Sequence, residues 1–161
     1  MIVVADTSVL INLCCVGEGG LFKSLFREVV IPPEVAREFS ALTVSNPRFS
    51  GLRLPSGIRE QSPSMLVAAV RAAEGLDIGE AAALSLAVEI HADAVLIDER
   101  RGHEVAVQLG LRTIGLLGIL LRAKATGIIK GVSPVIELLE RDAGFWISES
   151  LRVEVLRLAG E

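Results

Sequence analysis

Hydrophobic positions along this chain switch between continuous short runs and a helical period. Ile2-Val3-Val4-Ala5 opens it as an unbroken run of small and β-branched residues, the pattern of a strand buried on both faces. Asp6 ends that run, and Thr7 or Ser8 can cap the apolar helix that follows to Cys15. Gly17 to Gly20 breaks the period, and Leu21-Phe22-Lys23-Ser24-Leu25-Phe26 predicts a second amphipathic helix. Val29-Val30-Ile31 reads as a buried strand. Pro32-Pro33 stops it and starts a helix over Glu34 to Phe39. Residues 41–57, with Asn46-Pro47, Gly51, Pro55 and Gly57, show no helical period and predict an exposed excursion. Ile58 to Gln61 suits an edge strand, and Ser62-Pro63-Ser64 predicts the opening of a helix to Glu74.

The second half is more regular. Asp77 begins a helix to Ile90 with an apolar face at Ala81, Leu84, Ala87 and Val88. Ala94-Val95-Leu96-Ile97 is another buried strand, again closed by an acid, Asp98. A helix over 102–109 ends at Gly110, a short strand covers 111–114, and helices follow at 116–125, 134–142 and 148–158. Strands alternating with helices at this spacing predict a single α/β domain over residues 1–161 with a central parallel sheet.

Composition narrows the class. Hydrophobic residues make up 51% of the chain, which excludes disorder. The apolar stretches 116–121 and 151–158 predict a self-complementary homodimer interface. No apolar run approaches the ~20 residues that span a bilayer, so no membrane segment is expected. The N-terminus lacks the basic segment and cleavage site of a signal peptide. Cys14 and Cys15 are adjacent, which suits buried thiols in a reducing cytoplasm better than a disulfide or zinc site. A net charge of −4 argues against a module that binds nucleic acid by bulk positive charge. It leaves room for a nuclease, whose carboxylate-built metal site contributes acids of its own.

Four acids carry the candidate chemistry. Asp6 stands at the carboxyl end of its strand, where ligands bind in open α/β sheets. A buried carboxylate there costs several kcal/mol unless a positive group compensates it, and the first Lys or Arg is Lys23. Asp6 thus reads either as a helix cap or as a metal ligand. Asp98 ends a second buried strand in the same way. Neighbouring parallel strands lie ~4.8 Å apart, so the two aspartates are expected to share one cation. Glu80 either closes a capping box with Asp77 or leans over the sheet edge. Glu38 is either a solvated helix residue or a fourth acid. Glu99 follows Asp98 and is expected to point differently, while Arg100 and Arg101 suit phosphate contacts or a solvated helix start.

Other chemistries lack their residues. There is no GxxxxGK[ST] phosphate loop, no GxGxxG after either strand, and no zinc-type spacing around His91 or His103.

With these residues in view, the chain resembles the PIN-domain ribonucleases, including their VapC-type toxin branch. Val4-Ala5-Asp6-Thr7-Ser8-Val9-Leu10-Ile11 is similar to the family's opening motif, and Ile31-Pro32-Pro33-Glu34-Val35-Ala36-Arg37-Glu38-Phe39 to its second, with the closing acid at Glu38. Asp77-Ile78-Gly79-Glu80-Ala81-Ala82-Ala83-Leu84 resembles the third, and Ala92-Asp93-Ala94-Val95-Leu96-Ile97-Asp98-Glu99-Arg100-Arg101-Gly102 the fourth. Gly110 to Gly115 and Ala143 to Ser148 are similar to a less characterised prokaryotic subgroup. The resemblance implies a three-layer α/β/α sandwich and a metal-dependent endoribonuclease hydrolysing RNA phosphodiesters. It implies Asp6, Glu80 and Asp98 as ligands of Mg²⁺ or Mn²⁺, and Glu38 as a further catalytic acid. It also implies a homodimer and an antitoxin partner. The competing class is a catalytically inactive PIN-like interaction protein whose acids serve as caps.

Overall fold

Val3, Val4, Val30, Ala94, Val95 and Leu96 are fully buried, as strands covered by helices on both faces must be. In the computed structural model, which describes residues 1–161, these segments belong to five parallel strands. They are β1 (Ile2–Ala5), β2 (Glu28–Ile31), β3 (Ile58–Glu60), β4 (Ala94–Leu96) and β5 (Thr113–Ile114). Their order across the sheet is β3-β2-β1-β4-β5. The chain builds outward from β1 to β3, crosses back, and builds outward again through β4 and β5. The direction therefore reverses between β1 and β4, and the crevice outside their carboxyl ends is where such a sheet takes a ligand. Pairing is Val3 with Ala94, Val4 with Val95 and Ala5 with Leu96.

The helices are α1 (Thr7–Cys15), α2 (Leu21–Leu25), α3 (Pro33–Ser45), α4 (Ala68–Ala72), α5 (Ile78–Glu89), α6 (Arg100–Gln108), α7 (Leu116–Ala125), α8 (Ser133–Leu138) and α9 (Glu149–Ala159). They complete the expected α/β sandwich. Helices α1, α3 and α5 pack in sequence against one another, and α5 also contacts β1 and β4. None is long and apolar enough to cross a membrane.

Several boundaries differ from the sequence reading, each for a local reason. Helix α3 runs on to Ser45, six residues past the expected Phe39, because Val35, Phe39 and Leu42 continue one stripe against the core. It stops at Asn46, which the following Pro47 holds extended (φ −115°, ψ 114°). The helix expected from Ser62 to Glu74 shrinks to Ala68–Ala72. Glu89 binds the amide and hydroxyl of Ser64, and the Ser85 hydroxyl accepts from the Val67 amide at 3.1 Å, which ties this strap to α5 in extended form. The predicted 134–142 helix ends as α8 at Leu138 and becomes a π turn over Leu139–Ala143.

Helix α5 buries far more than one face. Every residue from Ala82 to Ala87 is buried, including Ser85, whereas Ala81 and Val88 are only partly covered. A helix apolar nearly all round belongs in an interior, and α3, α4, α6, β1 and β4 surround this one. The 116–121 stretch also turns inward: Leu116, Ile119 and Leu120 are fully buried, which assigns it to the core instead of a subunit interface.

Candidate active site

Asp6 is 3% exposed and sits at the N-cap position of α1, yet its side chain accepts no capping hydrogen bond. Its Oδ1 is buried without a partner. Burial pushes the carboxyl from 3.8 up to about 7; the Thr7 amide pulls it down, and the charges of Asp77, Glu80 and Glu38 push it further up. The cap reading of Asp6 therefore accounts for its position and leaves its carboxylate unexplained.

The groups around it come from the starts of α1 and α5 and from the second turn of α3. The Thr7 hydroxyl donates to Glu38 Oε2 at 2.6 Å, and the Gly79 amide donates to Glu38 Oε1 at 3.0 Å. Glu38 is thus not a solvated acid on α3; both oxygens clamp α1, α3 and α5 together. This contact also explains the glycine. A Cβ on Gly79 would lie 2.5 Å from both Glu38 carboxylate oxygens. Gly79→Ala is expected to push Glu38 out and to lower the activity of the site about 10- to 100-fold, the usual cost of losing a supporting polar contact at such a site. Melting should change little, since Ala gains roughly 1 kcal/mol of helix preference over Gly. Activity at the wild-type rate would show that the clamp is dispensable.

Glu80 does both things that the sequence allowed. Its Oε2 accepts from the Asp77 amide at 3.0 Å while Asp77 Oδ1 accepts from the Glu80 amide at 2.7 Å, a complete capping box. The side chain is also buried within the acidic group. Burial raises its pKa, the Asp77 amide opposes that, and Asp77, Glu99 and Glu38 add repulsion.

Asp98 goes elsewhere. Strands β1 and β4 are neighbours, but Ala5 pairs with Leu96, so Asp6 falls opposite Ile97 and Asp98 lies one residue beyond. Successive strand residues face opposite sides, and a one-residue offset reverses the face. The Asp98 carboxylate turns toward β5, where Oδ1 accepts from the Leu116 amide at 2.9 Å at the start of α7. A Cβ on Gly115 would stand 2.7 Å from that oxygen, so the glycine makes room for it. Burial raises the Asp98 pKa, the Leu116 amide lowers it, and Glu99 is the charge that repels it. Asp98 does not line the cavity over Asp6 and is not among the charges that act on it. The same parity argument puts Glu99, the next residue, on the Asp6 side.

A cavity of about 440 Å³ lies over this group, lined by Asp6, Glu38, Asp77 and Glu99 on one side and by Ile11, Leu42 and Phe49 on the other. Thr7, Ser8, Asn12 and Ala41 complete the lining. Asp77 and Glu99 are site residues that the sequence reading assigned to a cap and a strand end. Neither carried a sequence signal for this role: Asp77 showed only its cap position, and the face of Glu99 depends on the β1–β4 register. Neither Thr7 nor Ser8 caps α1, whose N-cap is Asp6: the Thr7 hydroxyl bonds Glu38, and the buried Ser8 hydroxyl has no partner.

No Lys or Arg lines the cavity. Clustered carboxylates, one with an orphaned buried oxygen, form an oxygen-only donor set that fits a hard divalent cation. As the side chains lie, no three acids come together closely enough to hold a metal ion. Mg²⁺ characteristically retains several waters and takes only one or two protein carboxylates, so an open set is compatible with it.

The molecule is a parallel α/β sandwich with an acid-lined cleft at the switch point of its sheet, where such folds take their ligands. The chain belongs to the PIN-domain family, whose model matches residues 2–161. Proteins of this family are typically nucleases and generally use divalent metals. A search of curated proteins finds no match.

Proposed function

We propose that this protein is a metal-dependent endoribonuclease working at the β1/β4 crevice. The observation that carries the reading is Asp6: a buried carboxylate with an unpartnered oxygen, surrounded by further acids and facing a cleft without a Lys or Arg. A divalent cation such as Mg²⁺ or Mn²⁺, when bound, supplies Lewis-acid polarisation of a phosphoryl oxygen and neutralises developing charge. Asp6 and Glu80 are the residues that would hold it, with Glu99 in the place first expected of Asp98. Glu38, fixed by Thr7 and the Gly79 amide, holds α1 and α5 in register so that the acids stay aimed at the cleft. Pairing with an antitoxin and homodimer formation belong to the same proposal. For the dimer, α9 offers the exposed Leu151, Val153 and Leu158.

The second reading, a catalytically inactive interaction protein, has one observation in its favour: the Glu80 capping box is complete. Glu80→Gln separates the two. Gln preserves shape and capping at N3 but removes the charge. On the nuclease reading, Mn²⁺-dependent cleavage of a structured RNA falls by orders of magnitude, while metal-free melting holds level or rises as repulsion is relieved. Equal cleavage by wild type and variant removes Glu80 from the site. Failure of the wild-type protein to cleave RNA with either metal favours the interaction protein.

A further inference from the structure

The one tryptophan of the chain is 81% exposed, whereas Phe22, Phe26, Phe39 and Phe49 are buried. Trp146 lies in the segment between the π turn and α9. Its neighbours Phe145 and Ile147 pack against the core, and the Phe145 amide donates to the Leu139 carbonyl at 3.0 Å. Trp146 is therefore held outward on a backbone anchored at both adjoining residues. An unpaired cation sits beside this segment. Arg48 precedes Phe49, a residue of the cleft wall, and its guanidinium is seated on Gly144. A Cβ on Gly144 would stand 2.8 Å from Arg48 Cζ, and the same glycine takes φ +68°, so the seat needs glycine for two reasons. Arg48 is exposed and enters no ion pair, although Arg141, three residues before Gly144, is bound by Asp142. Cys15, the last residue of α1, places the seat: its thiol donates to the carbonyls of Arg48 at 3.7 Å and Asp142 at 3.6 Å. Asp6 is at the other end of α1, roughly 14 Å away at 1.5 Å per residue. Ile11, Asn12 and Phe49 carry the cleft across that interval.

We infer that Arg48 and Trp146 form a single-stranded RNA subsite continuous with the acidic cleft, in which Arg48 holds a backbone phosphate and Trp146 stacks a base. The inference rests on the nuclease reading of the acidic end. That end has no Lys or Arg and repels a polyanion, so the attraction for RNA falls to cations on its rim. A guanidinium with no carboxylate on it offers its planar fork of N–H donors to phosphate oxygens. The outward indole beside it supplies a π-face, which takes any base but only an unpaired one. An apolar protein partner would account for Trp146 alone. The free cation seated next to it favours a polyanion that also carries flat rings.

Because the chain has one Trp and no Tyr, its intrinsic fluorescence reports Trp146 alone. With Ca²⁺ in place of Mn²⁺, single-stranded decauridylate should quench that emission saturably, and an RNA duplex of the same length should not. In anisotropy titrations with fluorescein-labelled decauridylate, Trp146→Ala and Arg48→Gln should each weaken binding about tenfold. Their salt dependence should differ. Arg48→Gln lowers the slope of log affinity against log salt by about 0.7, the value of one phosphate contact on a single strand, and Trp146→Ala leaves it unchanged. Emission untouched by saturating RNA, equal quenching by duplex, wild-type affinity in Trp146→Ala, or an unchanged slope in Arg48→Gln overturns the subsite. So does RNA-free emission that shifts to the blue as the protein dimerises, which assigns Trp146 to a second copy of the chain. Cleavage of RNA without quenching leaves the nuclease standing and removes this inference. Quenching that depends on Arg48, without Mn²⁺-dependent cleavage, supports the subsite and removes the nuclease.

Discussion

Asp6→Asn is expected to abolish metal-dependent cleavage, a loss of about three orders of magnitude or more, while making the metal-free protein more stable at pH 8. The activity loss follows from removing a charged donor worth several kcal/mol at the reacting phosphate. The stability gain follows from linkage. The Asp6 carboxyl titrates at about 7 in the folded protein against 3.8 ordinarily, so the folded state holds its proton more tightly than the unfolded chain does. Its contribution is most favourable below about pH 4 and is lost as the pH rises through 7. At 1.36 kcal/mol per pH unit the full swing is on the order of 4 kcal/mol. Asn cannot ionise, so the variant should lack this part of the pH dependence. Mn²⁺ should reverse the effect in wild type only, by about 2.7 kcal/mol at a concentration one hundred times the dissociation constant. Melting curves of both proteins from pH 4 to 8, with and without Mn²⁺, check every part. An equal Mn²⁺ shift in the two proteins would remove Asp6 from the metal site.

The adjacent acids Asp98 and Glu99 should behave oppositely. Glu99→Gln is expected to lower cleavage by two or more orders of magnitude with little change in melting, because it removes charge from the cleft at an exposed position. Asp98→Ala is expected to keep cleavage within a few-fold of wild type. It should instead cost about 1 kcal/mol of stability, the usual price of a lost cap, since the Leu116 amide loses its acceptor. Parallel assays of the two variants decide between them. Activity lost in Asp98→Ala and retained in Glu99→Gln would restore the pair of strand-end aspartates as the site.

Strand and helix identities were legible because they rest on local signals: β-branched runs at β1, β2 and β4, Pro32-Pro33 at the start of α3, and Asp77 with Glu80 at the start of α5. The neighbouring placement of β1 and β4 entered the sequence reading only as a condition, because strand order is a relation between distant segments. Less legible were the ends of α3 and α4. The first depends on a stripe continuing into a segment rich in turn residues. The second depends on Glu89 and Ser85, more than fifteen residues away, holding the chain extended.

By itself the sequence determined the class of sheet, the acids at its carboxyl edge and the absence of nearby positive charge, because all three are properties of short contiguous segments. Only the tertiary structure decided which acids meet. A one-residue offset between β1 and β4 sends Asp98 to the α7 start and leaves Glu99 at the cleft. The absence of a side chain at Gly79 lets Glu38 reach two other helices. Register and close approach are relations between segments distant in the chain, and a parity of one residue, invisible in either strand alone, settles on which face of the sheet a carboxylate lies.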